Sequence, residues 1–380
     1  MIPKTYTLWQ LTQYFLKLGT TGFGGPVALV GYMHRDLVIK NQWISEEEYK
    51  EGMALAQLAP GPLAAQLAIY LGYVNYGIFG ATLVGFAFVI PSFLMVLALG
   101  FVCKQFGGLP WIQSVFYGIS AGVIGIIAFS SYKLVNKSIS KDKILWGIFI
   151  VAALTTILTE SENILLLLGA GIVYWFIKVP PKFDKLNSIF LFLIQFPVLS
   201  LENSLLWKIF LFFGKAGAFV FGSGLAIVPF LYTGVVKEYG WLSEQQFLDS
   251  VAVTMITPGP VVITVSFIGY LVAGFKGACV AAVATFLPCY LLTILPAPYF
   301  KKYGKLPSIK AFVDGVTAAA IGAITGAVVI LGRKSIIDIP TLLIALFTIF
   351  ILWKFKKITE PYLIIACAVV GYILNNNLLS

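Results

Sequence analysis

Two short tripeptides in this chain have the chemistry to hold an anion where no water is available. They are Pro60-Gly61-Pro62 and Pro258-Gly259-Pro260. Two prolines around a glycine remove two amide donors and push the preceding residue out of the helical region, so a helix stops and restarts there. The restarted helix offers unpaired N–H groups and the positive end of its dipole, which together favour an anion. A second feature precedes each break: Gly22-Phe23-Gly24-Gly25-Pro26 in one case, Phe221-Gly222-Ser223-Gly224 in the other. Glycine clusters let the backbone unwind and let a ligand or another helix come close. Lys17 and Lys215 lie just before these clusters in otherwise apolar sequence. An ammonium in such a place either snorkels to an interface or faces a cavity, and the second makes it a functional candidate. Glu51 and Asp249 sit inside the helix leading to each break, as proton-exchange candidates, as partners for the lysines, or on a solvated face. Gln57 and Gln66 stand near the first break as hydrogen-bonding candidates.

These features come in pairs because the chain is a tandem repeat. Residues 17–62 align with 215–260 at an offset of 198, and after one lost residue the match resumes at 197, pairing Gly72 with Gly269, Pro91 with Pro288 and Gly125 with Gly322. The expected organisation is a first repeat over 1–178, a linker over 179–206 and a second repeat over 207–380. Repeats with Gly- and Pro-interrupted apolar helices are the pattern of secondary transporters.

Composition places both halves in a bilayer. Hydrophobic residues make up 59% of the 380 and charged ones 11%, against roughly 25% charge in a soluble domain, and the mean hydropathy is +0.93. Runs at 80–103, 111–130, 144–158, 163–177, 279–299, 311–331, 339–353 and 361–373 are long enough, or nearly so, to cross about 30 Å of hydrocarbon as helices. No signal peptide is recognisable at the N-terminus. The four cysteines have no CxxC spacing and read as buried apolar residues, with no metal site or cofactor expected. The net charge of +10 reads as basic cytoplasmic loops rather than nucleic-acid binding.

The distribution of that charge suggests inversion. Lys133, Lys137, Lys141 and Lys143 mark one loop, and Lys178, Lys182 and Lys185 another, as cytoplasmic, with Glu160 and Glu162 between them outside. In the second half Lys301, Lys302, Lys305 and Lys310, then Lys354, Lys356 and Lys357, fall where the first half has its outer loops. Arg333 and Lys334 are discordant. The expected fold class is therefore an all-α polytopic membrane protein, with two homologous halves in inverted topology and helices broken by Gly and Pro. Two arrangements provide the odd number of crossings that inversion requires. Either 46–74 is a re-entrant hairpin hinged at Pro60-Gly61-Pro62, leaving five spans per half, or it is one broken span, and 188–200 then crosses as well for thirteen. Both count the segment containing the first glycine cluster as a crossing. Ser45-x-x-Glu48 and Ser243-x-x-Gln246 read as capping boxes that fix where the next helix begins, and Trp43 and Trp241 as interface anchors. His34, the one histidine, invites a proton relay but aligns with Tyr232.

Taken together, Phe-Gly-Gly-Pro, the Trp-Ile/Leu-Ser-Glu helix start, the Ala-Pro-Gly-Pro and Thr-Pro-Gly-Pro breaks and their duplication resemble the chromate ion transporter (CHR) family in its two-domain long form. The resemblance covers roughly 9–131 and 207–331. It implies efflux of chromate from the cytoplasm, chromate resistance, sulfate as a structural analogue, and antiparallel halves in a multi-pass cell-membrane protein. The motif positions carried over are Gly24, Gly25, Pro26, Pro60, Gly61 and Pro62, with Phe221, Gly222, Pro258, Gly259 and Pro260. Ser223 and Gly224 depart from the first copy's Gly25 and Pro26. The partners expected are an oxyanion and lipid, without nucleic acid, and a homodimer is compatible with the architecture. A channel or carrier for another oxyanion is the alternative function. No HExxH, GxSxG or GxxxxGK[ST] motif points to an enzyme or an ATPase.

Overall fold

The computed structural model describes residues 6–23, 25–106, 110–139, 142–160, 164–180, 204–219, 224, 227–303, 306–355, 358 and 360–379. Among them every regular element is a helix. The first half runs α1 (Leu8–Thr21), α2 (Gly25–Met33) continuing into a π-helical stretch at His34–Lys40, α3 (Glu46–Leu58), α4 (Leu63–Phe106), α5 (Pro110–Ser138), α6 (Lys143–Thr159) and α7 (Ile164–Lys178). The second half repeats the order with α8 (Leu205–Phe219), α9 (Ile227–Tyr232) with a π-helical stretch at Thr233–Glu238, and α10 (Glu244–Met255). A 3-10 turn at Val261–Ile263 leads into α11 (Thr264–Ile294), followed by α12 (Ala297–Tyr303), α13 (Pro307–Ser335), α14 (Ile339–Lys354) and α15 (Glu360–Leu379). Both predicted capping boxes are formed, Ser45 with Glu48 and Ser243 with Gln246. The described residues of the eight apolar runs are helical, except for a turn at 295–296 that splits 279–299 between α11 and α12.

Each half begins with two hairpins that enter and leave at one end. Residues 46–75 fold as a hairpin in which Gly52 of α3 lies against Tyr70 and Leu67 of α4, and its return arm ends at Tyr76-Gly77. Gly77 has φ +64° and ψ −158°, and its equivalent Gly274 has φ +63° and ψ −153°, a conformation open essentially to glycine alone. The turn lays the arm back on the next helix so closely that a methyl group on Gly72 would lie 2.5 Å from the Gly80 carbonyl oxygen, and one on Gly269 2.5 Å from that of Gly277.

The segment from 8 to 40 corrects the sequence reading, which counted it as a crossing. It is also a hairpin, with its apex at Gly22. The Tyr14 hydroxyl donates to Asp36 Oδ2 at 3.4 Å, so the two arms run in opposite directions. Tyr6 stacks on Trp43 with ring centroids 5.1 Å apart, and Tyr76 donates to the Tyr6 carbonyl at 2.7 Å. The start of the first hairpin and the ends of both therefore share one end of the molecule. α1 has 14 residues, about 21 Å at 1.5 Å per residue, and beyond Gly22 the chain turns back beside it instead of continuing across.

The remaining helices exchange partners between halves. α5 packs on α14 and α15, while its equivalent α13 packs on α6 and α7. Glycines set these contacts: Gly118 lies against Gly371, Gly125 against Ala345, Gly315 against Ala170 and Gly322 against Phe149. Small residues give such helices close van der Waals contact in a medium where apolar burial drives nothing. α5 and α13 lie antiparallel: Ser131 Oγ is 2.6 Å from Thr325 Oγ1, Ile124 packs beside Gly332, and Tyr117 near the start of α5 donates to Asp338 beyond the end of α13 at 2.5 Å.

Lys178 Nζ lies 2.6 Å from Asp142 Oδ2, placing the ends of α5 and α7 together. Glu160, between α6 and α7, is at the other end, 2.8 Å from Lys237 of the second half. The discordant Lys334 is paired there with Glu244. The apolar stretch 188–200, which a thirteen-span arrangement needs, lies outside the described residues.

Candidate functional site: converging helix breaks and a basic cleft

The four helix breaks are brought together from both halves. α3 ends at Ala59, and Gly61 takes φ +141°; in the second half Gly259 takes φ +99°. Both values favour glycine, which explains the middle residue of each Pro-Gly-Pro. The Gly259 N–H donates to the Gly22 carbonyl at 2.9 Å, so the second half's Pro-Gly-Pro rests on the apex of the first half's first hairpin. A methyl group on Gly259 would collide with Ser92 Oγ; one on Gly61 would lie 3.1 Å from Cys289 Sγ. Ser92 and Cys289 are equivalent positions, so each break abuts the same point of the opposite half's long helix. Gly224 completes the cluster, its Cβ position 3.4 Å from Val261 and 3.8 Å from Pro26.

Different side chains secure the two breaks. Gln66, fully buried, donates through Nε2 to the Pro60 carbonyl at 2.8 Å. At the second break Thr254 and Thr264 join α10 to α11 through hydroxyls 2.7 Å apart, and Thr257 bonds back to the Val253 carbonyl. Gln66 Oε1 and Ser266 Oγ, one near each break, are buried without a hydrogen-bond partner. Most buried polar atoms are paired, so both breaks carry spare polar capacity in their surroundings.

Lys17 stands on the wall of a cleft of about 710 Å³ between the arms of the first hairpin. Tyr14 and Lys17 line one side, and Arg35, Asp36 and Lys40 the other, with Gly22 at the inner end. Pro361, Tyr362 and Ile256 of the second half close it. The cleft therefore runs from the end marked by Tyr6 and Trp43 to the converging breaks. Arg35 and Lys40 were not singled out from sequence as anion ligands. Their signal was a pair of bases on the return arm, unreadable while 8–40 counted as a crossing.

Of the other predicted residues, Gly25 has φ +70° and starts α2, with Pro26 in its first turn. Pro60, Gly61 and Pro62, with Pro258, Gly259 and Pro260, join in the convergence. Lys215 is exposed on α8 and is not among the cleft residues. Glu51 accepts a hydrogen bond from Tyr70, whereas Asp249 accepts one from Gln245 Nε2 at 2.9 Å. Gln57 is exposed. Gly24, Phe221, Gly222 and Ser223 lie outside the described residues. His34 has a counterpart after all: its Nε2 is 2.8 Å from Glu46, and Tyr232 donates to the aligned Glu244 at 3.0 Å. Both bonds fasten the return arm of the first hairpin in their half to the start of the next helix.

The chromate transporter family model matches residues 9–175 and 207–372, one copy on each half. The chain belongs to that family. It is 66% identical over 375 residues to the chromate transport protein of Cupriavidus metallidurans, covering 97% of this chain and 94% of that one. It is 62% identical to the probable chromate transport protein of Synechococcus elongatus, over 98% and 97% of the two chains. A chromate transport protein of Pseudomonas aeruginosa is 28% identical over 99% and 94%. No solved structure matches the chain. Family membership and the long apolar helices make this a membrane protein of a transporter family.

Proposed function

We infer that this protein is a secondary carrier that exports chromate from the cytoplasm and also accepts sulfate, which shares its charge and shape. The convergence of both halves' broken helices at the Gly22–Gly259 hydrogen bond carries this reading, because a dianion in a membrane needs donors to replace its water. Two close relatives named for chromate transport support the choice of substrate. The antiparallel pairing of α5 and α13 supports an inverted repeat. Lys133, Lys137 and Lys143 gather near the end that holds Lys178 and Asp142, and that end is assigned to the cytoplasm.

In this mechanism the anion enters the basic cleft, passes Lys17 and displaces the bond between Gly22 and Gly259. It is then held by the restarted helices until rocking of the halves opens the other side. An inside-negative potential of 100 mV favours export of a dianion by about 4.6 kcal/mol, enough for a gradient on the order of a thousandfold without ATP. Glu51 and Asp249 are the carboxylates placed to couple protons, each inside a helix that ends at a break. Export across the cell membrane lowers cytoplasmic chromate and so confers resistance. Inside-out vesicles should accumulate chromate saturably under an imposed potential, with excess sulfate competing. A flux that neither saturates nor responds to sulfate would replace the carrier with a channel or another substrate.

A further inference from the structure

We propose that the cleft inside the first hairpin is an oxyanion-capture site, in which Lys17, Arg35 and Lys40 receive a tetrahedral anion and Asp36 is the resident carboxylate that it displaces from Arg35. The proposal rests on the carrier reading for its direction but not for its binding chemistry. Arg35 already grips a carboxylate with two donors, Nε to Asp36 Oδ1 at 2.8 Å and a terminal nitrogen to Oδ2 at 3.1 Å. That two-point fork fits one edge of a tetrahedral oxyanion equally well. The Arg35 side chain is 63% exposed and its guanidinium lies 5.2 Å from the Tyr32 ring centroid, which keeps it over the cleft while leaving its donors exchangeable. The π-helical turn at His34–Lys40 is a distortion that often marks functional positions.

Charge balance favours an anion. Lys17, Arg35 and Lys40 face Asp36, and Glu360 approaches the inner end, its Oε1 3.8 Å from the Cβ position of Gly25. Three cations thus meet two carboxylates. The equivalent hairpin of the second half has Thr233, Gly234 and Glu238 in place of Arg35, Asp36 and Lys40, and its Lys237 is occupied by Glu160. Among the described residues of the second hairpin, Lys215 keeps the place of Lys17, but no cation stands at the places of Arg35 and Lys40.

Two readouts on the full-length protein test this. In inside-out vesicles, Arg35→Ala should raise the KM for sulfate and chromate about tenfold or more at nearly constant kcat, Arg35→Lys should do so less, and Asp36→Asn should lower it. Lys208→Ala, outside the cleft, serves as the control. Independently, a cysteine introduced by Thr21→Cys should be labelled by a thiol reagent, with peptide mass spectrometry as readout. Sulfate should protect it, and Arg35→Ala should abolish that protection. Protection without any chromate flux would uphold the capture site while removing the chromate-carrier reading. Normal flux with an unchanged KM in both Arg35 variants, or labelling indifferent to sulfate, would overturn the capture site and leave the carrier standing.

Discussion

The first hairpins of the two halves have the same backbone plan and opposite chemistry. In the first half Tyr14, Tyr32, Arg35, Asp36 and Lys40 surround an open cleft. At the equivalent places the second half has Phe212, Phe230, Thr233, Gly234 and Glu238. There Phe212 stacks on Phe230 at 5.3 Å and meets Tyr239 and Trp241 edge-on, both at 5.7 Å, with Gly234 against its ring. One hairpin is propped open by charges that need water; the other is closed by rings that exclude it. Duplication therefore supplied a symmetric scaffold, and side chains made its two ends unequal. The Pro-Gly-Pro breaks differ in the opposite sense, since Thr254, Thr257 and Thr264 in the second half replace Ala56, Ala59 and Leu67.

The largest expected effect on transport is at the shared centre. Gly259→Ala places a methyl group on Ser92 and strains a backbone at φ +99°. It should cost about 2–4 kcal/mol and abolish transport, read by thermal unfolding in detergent and vesicle flux; a variant of normal Tm and flux would remove the contact from the mechanism. Next comes the sealed hairpin. Phe212→Ala should destabilise by about 3–5 kcal/mol, whereas Tyr14→Phe in the open cleft should cost under about 1.5 kcal/mol. Equal losses would mean that the two hairpins are not energetically distinct.

Gly77→Ala and Gly274→Ala should each cost about 1–3 kcal/mol, and by the same amount within error, because the two turns have matching angles. A clear difference between them would break the symmetry of the scaffold itself.

The smallest effect concerns the exposed Asp142–Lys178 contact. The Lys178 ammonium lowers the Asp142 carboxyl from 3.8 to about 2. Its stabilisation is present above pH 3.8 and is lost as pH falls toward 2. The Tm difference between wild type and Asp142→Asn should accordingly shrink steadily over that interval, and a difference that stays constant between pH 4 and pH 2 would assign the effect to packing.

The sequence by itself determined the repeat, the eight apolar helices, the capping boxes and the positions of the breaks. Those follow from local rules: apolar length, proline's missing donor, glycine's freedom, and a hydroxyl three residues before an acid or amide. Only the tertiary structure decided that 8–40 folds back, because a broken crossing and a hairpin have the same local pattern and differ in whether Tyr14 meets Asp36. It also decided that α5 and α13 exchange halves, through glycine contacts whose partners lie more than a hundred residues away. Arg35 and Lys40 became candidate ligands for the same reason. Their meaning depends on the arm opposite them, and no spacing along the chain records which arm that is.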